Sequence, residues 1–394
     1  MSQPPKRDLK EYLAVGHTEA ENHFRTQQSQ AKKQISSSDS TRTLSEFLWY
    51  NVFGFAYHYL KSRFGKRHPY QSYPQGDDNG IFRMEEKNGV THLALLSDWA
   101  SDTPESDEVG AVVASHSPDY SIHLGDIYFV GTPSEVAANF TNPTASWPRG
   151  RWGSLALSGN HEMYSNGAAF FKYLLPTMGV REGASIRVQK AGFFCLENDY
   201  WRVIGLDTGY TSVERPFWEV LSPPDCHLRE EQVEWLKNQL QLGNADDKRS
   251  LVFLSHHPPF SSFRMSFPQP AKQLSQLLGD AVRPVIWIWG HEHRMVVYHP
   301  KQLDNLMISG RCIGHGGMPA EIDLPKNNKE LIAFYDQRKR TTLRRIDVGY
   351  NGFAWLTFDQ QNLTIEYRDV EDTIVYKENF RSENGIVEVV TNEF

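Results

Sequence analysis

At 394 residues the chain exceeds the usual length of one domain, and 39% hydrophobic with 23% charged residues lets a sizeable core form. The formal net charge of -7 sets a long-range field against general affinity for nucleic acid or anionic membranes, although a local basic patch can override it. No apolar run reaches 18 residues, MSQPPKRDLKEYL has no apolar leader-like region, and Cys195, Cys226 and Cys312 are odd in number with no CxxC spacing, so the expectation is a cytoplasmic protein with reduced thiols.

Residues 1 to about 44 are polar and read as one frayed helix followed by a linker. Thr43 and Glu46 form a capping-box pattern that opens a helix from about Ser45 to Phe64. Phe47, Leu48, Trp49, Val52, Phe53, Phe55, Tyr59 and Leu60 cover most of its circumference, so it must bury that surface. Three occupants stay open: the rest of the chain, a membrane surface helped by Lys61, Arg63, Lys66 and Arg67, or a partner protein meeting residues 45–67. His68 to Gly80 is a Pro, Gly, Tyr and Asp-rich loop or boundary, which divides an N-terminal extension, 1–88, from a catalytic unit, 89–394.

Strands are predicted at about Val90 to Ser97, Ser121 to Leu124, Ser154 to Leu157, Leu251 to Leu254 and Val285 to Trp289, with a hairpin ending near Asp207. Helices are predicted over Ser106 to Ser115, Ala168 to Leu175 and Glu230 to Leu242, and an irregular insertion over Thr132 to Trp152. The acidic stretch DWASDTPESDEVG reads as a mobile lid, and from Leu306 onward the pattern alternates with the strand period. Strands alternating with helices, followed by a run of strands, imply an α/β fold in which two sheets pack together with helices outside.

Five of the strands end in side chains that bind metals or move protons: Asp98; Asp126; Asn160, His161 and Glu162; His256 and His257; His291 and His293. In an α/β sheet such residues converge at the carboxyl ends of the strands. Oxygen and imidazole donors without thiolate suit Mn, Fe or Zn. One carboxylate shared by two ions gives a dinuclear centre, and Asp126 is the natural bridge. Water held by such ions loses a proton near neutral pH and attacks a phosphoryl group whose charge both cations neutralise.

The blocks SD98WA, GD126IYF, GN160H161E162, H256H257PP and GH291EH293 resemble the signature blocks of the calcineurin-like metallophosphoesterase superfamily, the first being similar to the purple acid phosphatase branch. The resemblance implies a two-sheet sandwich flanked by helices and a phosphoesterase acting on monoesters or diesters with two metal ions. It implies Asp98 and His293 at the first ion, Asn160, His256 and His291 at the second, and Asp126 between them. His161 would protonate the leaving oxygen or stabilise the transition state, and Glu162 would orient or tune it. His257 follows a ligand and is a possible metal, substrate or supporting residue.

Two departures stand out. Position 100 is alanine where most of the superfamily has histidine, and Phe129 holds the place of the purple acid phosphatase tyrosine, with Tyr128 one residue early. Strand alternation points Tyr128 and Phe129 to opposite sides, so Tyr128 is a metal or substrate contact only if the loop shifts by one residue. The rival reading is a non-catalytic binding scaffold with an incomplete first site. Arg264, His315 and the cluster Arg338, Lys339, Arg340, Arg344 and Arg345 are secondary candidates for an anionic substrate, and Asp207 reads as a structural hydrogen-bonding group.

Overall fold

Alternation along the strands settles the layers. In Val90–Leu96, Leu93 and Leu95 face one way and Ala94 and Leu96 the other, and both sets are buried. A strand buried on both faces needs cover on both. A computed structural model describes residues 66–86, 89–213, 224–343 and 345–393. Among these, two nine-stranded sheets pack face to face, with Leu93, Leu95, Ile122, Leu155, Val252, Leu254, Ile286 and Ile288 in the core between them.

The first sheet runs Ile81–Arg83, Phe194–Glu197, Trp201–Leu206, Ser250–Ser255, Arg283–Trp289, Leu306–Ile313, Met295–Tyr298 and Ile332–Tyr335, with Lys301–Leu303 paired on Leu306–Ile313. The second runs Ile386–Glu393, Ile374–Glu383, Asn362–Asp369, Gly352–Asp359, Val90–Leu96, Tyr120–His123, Gly153–Ala156, Gly179–Glu182 and Ser185–Val188. The helix Pro104–His116 covers the outer face of the second sheet through Val109, Val112 and Val113. Trp235, Leu236 and the helix Gln269–Leu278, through Ala271 and Leu274, cover the first. This is the expected two-sheet α/β sandwich flanked by helices.

Parallel pairing places the site. Val90–Leu96, Tyr120–His123 and Gly153–Ala156 are mutually parallel in the second sheet, as are Trp201–Leu206, Ser250–Ser255 and Arg283–Trp289 in the first. Their carboxyl ends carry Asp98, Asp126 and Asn160 from one sheet and Asp207, His256 and His291 from the other.

Several expectations need correction. The acidic stretch is no lid: Thr103 and Ser106 form a capping box, Pro104 starts the helix, and Ser101, Thr103 and Ser106 are buried. The helix expected over Glu230 to Leu242 is present over residues 230–239, α-helical at Glu230–Glu234 and wider at Trp235–Gln239, which brings Trp235, Leu236 and Leu240 together onto the sheet. Ala168 to Leu175 is helical as expected, widening over Phe170–Leu174 and tightening at Leu175–Thr177, which contains Pro176. Inside the irregular insertion Thr132 and Glu135 cap a short helix, Pro133–Val136. Ahead of residue 89, Ile81–Arg83 adds a parallel edge strand to the first sheet and Tyr73 is buried. The polar segment and the aromatic helix expected up to Phe64 lie outside the described residues. No helix among the described residues is long and apolar enough to cross a membrane.

One ion pair ties the sheets together through the core. Arg311 of Leu306–Ile313 meets Glu378 of Ile374–Glu383 through two bonds of 2.7 and 2.5 Å, both residues are buried, and Tyr367 donates to the same carboxylate at 2.9 Å. Removing one partner leaves a buried charge uncompensated. We expect Glu378→Ala to lower unfolding free energy by roughly 3–5 kcal/mol, and the paired change Arg311→Met with Glu378→Leu to recover most of it, measured by denaturant unfolding.

Candidate metal centre

Asp98, Asp126 and His291 each follow a strand, and each has a left-handed backbone, with φ of 54°, 70° and 66°. Asp and His enter this region more readily than most residues, yet each instance costs roughly 1–3 kcal/mol. The turn folds each side chain back across the strand ends. Gly125 and Gly159 let two of these turns touch: Gly125 has φ of 102°, and a Cβ on Gly159 would collide with the Asp126 carboxylate.

Around Asp98 the contacts are dense. Its Oδ2 accepts from Ser97 Oγ at 2.8 Å and from the His291 backbone N–H at 2.9 Å, and its Oδ1 accepts from Tyr128 Oη at 2.8 Å. His293 Nε2 lies 3.5 Å from Asp98 Oδ1 and 2.9 Å from Tyr128 Oη. Tyr128 Oη is also 3.2 Å from Asp126 Oδ2. A phenol has one proton, and here three groups compete for it. Strand alternation does not govern this position, because Ile127 makes the last bridge, to Ala100, and the chain then leaves the strand. Ala100 is buried in the outer core, and the Tyr128 hydroxyl stands beside Asp98 and His293. Phe129 offers its backbone: its carbonyl lies 2.5 Å from His161 Nδ1.

Asp126 reaches the other half. Its Oδ1 accepts from the His161 backbone N–H at 3.0 Å, while its Oδ2 lies 3.2 Å from His256 Nε2 and 3.7 Å from His161 Nε2. His256 Nδ1 donates to the Leu124 carbonyl at 3.0 Å, which directs the buried Nε2 inward to the Asp126 carboxylate. Imidazole and carboxylate donors that converge in this way form a set able to hold a cation. Asn160 Oδ1 lies 3.0 Å from His291 Nδ1, and its amide N–H donates to Tyr164 Oη at 3.0 Å, which fixes the oxygen toward the centre. His257 is held by Thr208 Oγ1, 3.0 Å from Nδ1. Donor atoms of Asp98, Asp126 and His256, and of His256, His257 and His291, gather within 4.8 Å of one another. His161, His256, His257, His291 and His293 therefore all share one crevice with the two aspartates.

Glu162, expected to orient or tune His161, lies against the backbone of the neighbouring turns. It is fully buried, and its Oε2 accepts from the Asp126 and Gly159 backbone N–H groups at 3.3 and 2.8 Å. It braces two ligand loops. Its Oε1 has no partner, and burial, reinforced by Asp126, raises its pKa to about 8. Asp207 accepts from Ser158 Oγ at 2.7 Å and the Tyr210 N–H at 3.0 Å, as a structural group does. His315 is buried; its carbonyl accepts from Asn351 Nδ2 at 3.0 Å. Arg338 pairs with Asp336 and Asp369, Lys339 with Asp347 and Arg340 with Glu108. Arg264 pairs with Glu321 on the rim. One supporting group was missed in the sequence: Glu292, between His291 and His293, is buried and accepts from Ser261 Oγ and the Arg264 N–H. A carboxylate between two candidate ligands was its visible signal.

Burial disfavours charge on His256, but Asp126, Asp98 and Glu162 outweigh it and hold its pKa up at about 9. Burial opposes ionisation of Asp126 too, and His256 and His161 overcome it, keeping that pKa well below the usual carboxylate range. Burial and the His256 charge push His291 down to about 3. A pKa raised on folding contributes stability that is complete below the ordinary value of about 6.5 and is lost as pH climbs through the folded value. Chelator-treated protein should therefore lose thermal stability between about pH 6.5 and pH 9, and His256→Gln should flatten that slope in a melting series.

The model of the calcineurin-like phosphoesterase family matches residues 91–295, just over half of the chain. No curated protein sequence matches. Among solved structures the chain is similar to purple acid phosphatase PPD1 from yellow lupin (Lupinus luteus) seeds, with 18% identity over 77% of this chain and 54% of that one and a TM-score of 0.49. It thus spans about half the length of the lupin chain. It is also similar to GAP50, the anchor in the inner membrane complex of Plasmodium, with 14% identity over 75% of this chain and 89% of that one and a TM-score of 0.48. A dimetal phosphatase from Danio rerio shares 14% identity over 74% of this chain and 99% of that one, with a TM-score of 0.46.

Proposed function

We propose that this chain, which belongs to the calcineurin-like phosphoesterase family, hydrolyses phosphomonoesters or phosphodiesters at a dinuclear metal centre. The observation that carries the reading is the placement of Asp126, whose Oδ2 stands 3.2 Å from both Tyr128 Oη and His256 Nε2. Those two groups belong to different donor sets. Asp98, Tyr128 and His293 would hold one ion and Asn160, His256 and His291 the other, with Asp126 common to both. The inward-facing His256 Nε2 and the carboxylate, amide, imidazole and phenol donors fit such ions, and the absence of thiolate from the set favours Mn, Fe or Zn. When bound, the ions supply Lewis acidity, which acidifies water and neutralises charge on phosphoryl oxygens.

The chain's own groups do the rest. His161 Nδ1 donates to the Phe129 carbonyl, so the ring presents Nε2 to the crevice at 3.7 Å from Asp126 Oδ2. There it holds a proton for the departing ester oxygen. Glu162 keeps the Asp126 and Gly159 loops in register, and Tyr164 keeps the Asn160 oxygen turned inward. Thr208 orients His257, which lies beside His256 and His291 and supports them or meets the substrate.

His161→Ala should lower kcat by roughly 10²- to 10⁴-fold, with a larger loss on alkyl phosphates than on nitrophenyl phosphate, whose leaving group needs no proton. Asp126→Asn should abolish turnover. Full metal-dependent hydrolysis by Asp126→Asn protein contradicts the reading.

A further inference from the structure

The loop after the His256–His257 pair folds back along the centre. Phe267 N–H donates to the Pro258 carbonyl at 2.9 Å, and the Phe267 ring stands 5.2 Å from the His257 ring and 6.1 Å from the His291 ring. Arg264 lies on this loop. Its backbone N–H donates to Glu292 Oε1 and to Ser261 Oγ, each at 3.1 Å, which pins the residue against the turn that carries His291 and His293. Its positive field reaches His291.

The side chain is placed differently from the backbone. It is 40% exposed, and its guanidinium is paired with Glu321, whose own backbone N–H donates to the His293 carbonyl at 2.6 Å. Glu321 has a second cation: its other oxygen meets Arg294, a side chain only 1% exposed that also pairs with Asp323 at 2.9 Å. Glu321 therefore keeps a charged partner when Arg264 turns away. Exposed ion pairs are held weakly, so the guanidinium exchanges carboxylate for another anion at little cost. Arginine matches phosphate through two parallel N–H bonds.

We propose that Arg264 is a specificity-determining residue that binds a second phosphate on the leaving group, so that the site favours esters with two adjacent phosphates over those with one. The inference rests on the phosphoesterase reading for the reacting phosphoryl group. The aspartates and histidines take that group, and Arg264, fixed to the neighbouring turn and held at its tip only by the exposed pair with Glu321, takes the next one along the substrate.

ADP and AMP differ by one phosphate, and the bond cut changes with it, from a phosphoanhydride with AMP leaving to a monoester with adenosine leaving, so the comparison is read on KM and binding and not on kcat. On metal-loaded protein, wild type should show a lower KM for ADP than for AMP. Arg264→Ala should raise the KM for ADP about 10- to 100-fold, the range for one charge-assisted hydrogen bond, and leave the KM for AMP within about twofold. Arg264→Lys should restore part of the ADP affinity. An ADP KM unchanged in Arg264→Ala, or equal losses on ADP and AMP, overturns the inference. Calorimetric binding of ADP separates it from the reading beneath: Arg264-dependent binding without turnover of either nucleotide upholds the subsite and contradicts the phosphoesterase reading, whereas turnover with Arg264-independent binding does the reverse.

Discussion

Two buried carboxylates facing several imidazoles form the constraint on which the rest of the molecule depends. Asp98 and Asp126 are almost completely shielded from water, and an isolated charge there is too costly to keep. Each is stabilised by backbone N–H groups, by Tyr128 and by histidines, and His256 is pulled toward its charged form in return. The compensation is incomplete. Tyr128 has one proton for three neighbours, and Glu162 Oε1 is buried without a hydrogen-bond partner. Cations bound there would resolve the imbalance at the carboxylates.

The sandwich exists to bring those groups together. No single sheet carries the whole set: the second sheet supplies Asp98, Asp126 and Asn160, and the first supplies His256, His291 and His293. Anything that fixes one sheet against the other therefore fixes the centre. The Arg311 and Glu378 pair does so through the core, and the loop around His315 does so at the rim, where Asn351 Nδ2 donates to the His315 and Met318 carbonyls at 3.0 and 2.7 Å. Glu162 works at shorter range, between the loops of Asp126 and Gly159.

Much of this was legible in the sequence because a ligand at the end of a buried strand follows an apolar run and needs no partner to be seen. Asp98, Asp126, Asn160, His256, His291 and His293 stood out in that way, and the structure brings them into one crevice. Tyr128 did not, because period-two alternation was extended past Ile127, where pairing stops. The backbone contacts of Glu162 were not legible, because they depend on how the Asp126 and Gly159 loops meet in the fold. The helix Gln269–Leu278 went unread although Ala271, Leu274 and Leu278 carry the helical spacing, and the wide turns at Phe170–Leu174 and Trp235–Gln239 have no simple sequence mark. Arg264 was visible as a cation, but its dependence on Glu321, 57 residues away, was not.

The most direct test of the account is the number of metal ions the chain holds after stripping with chelator, reloading with Mn, Fe or Zn and removal of excess, measured by elemental analysis. Two ions per chain are predicted, because Tyr128 completes a donor set at Asp98 and His293 that Ala100 leaves short. One ion or none contradicts a dinuclear centre and with it the part assigned to Asp126.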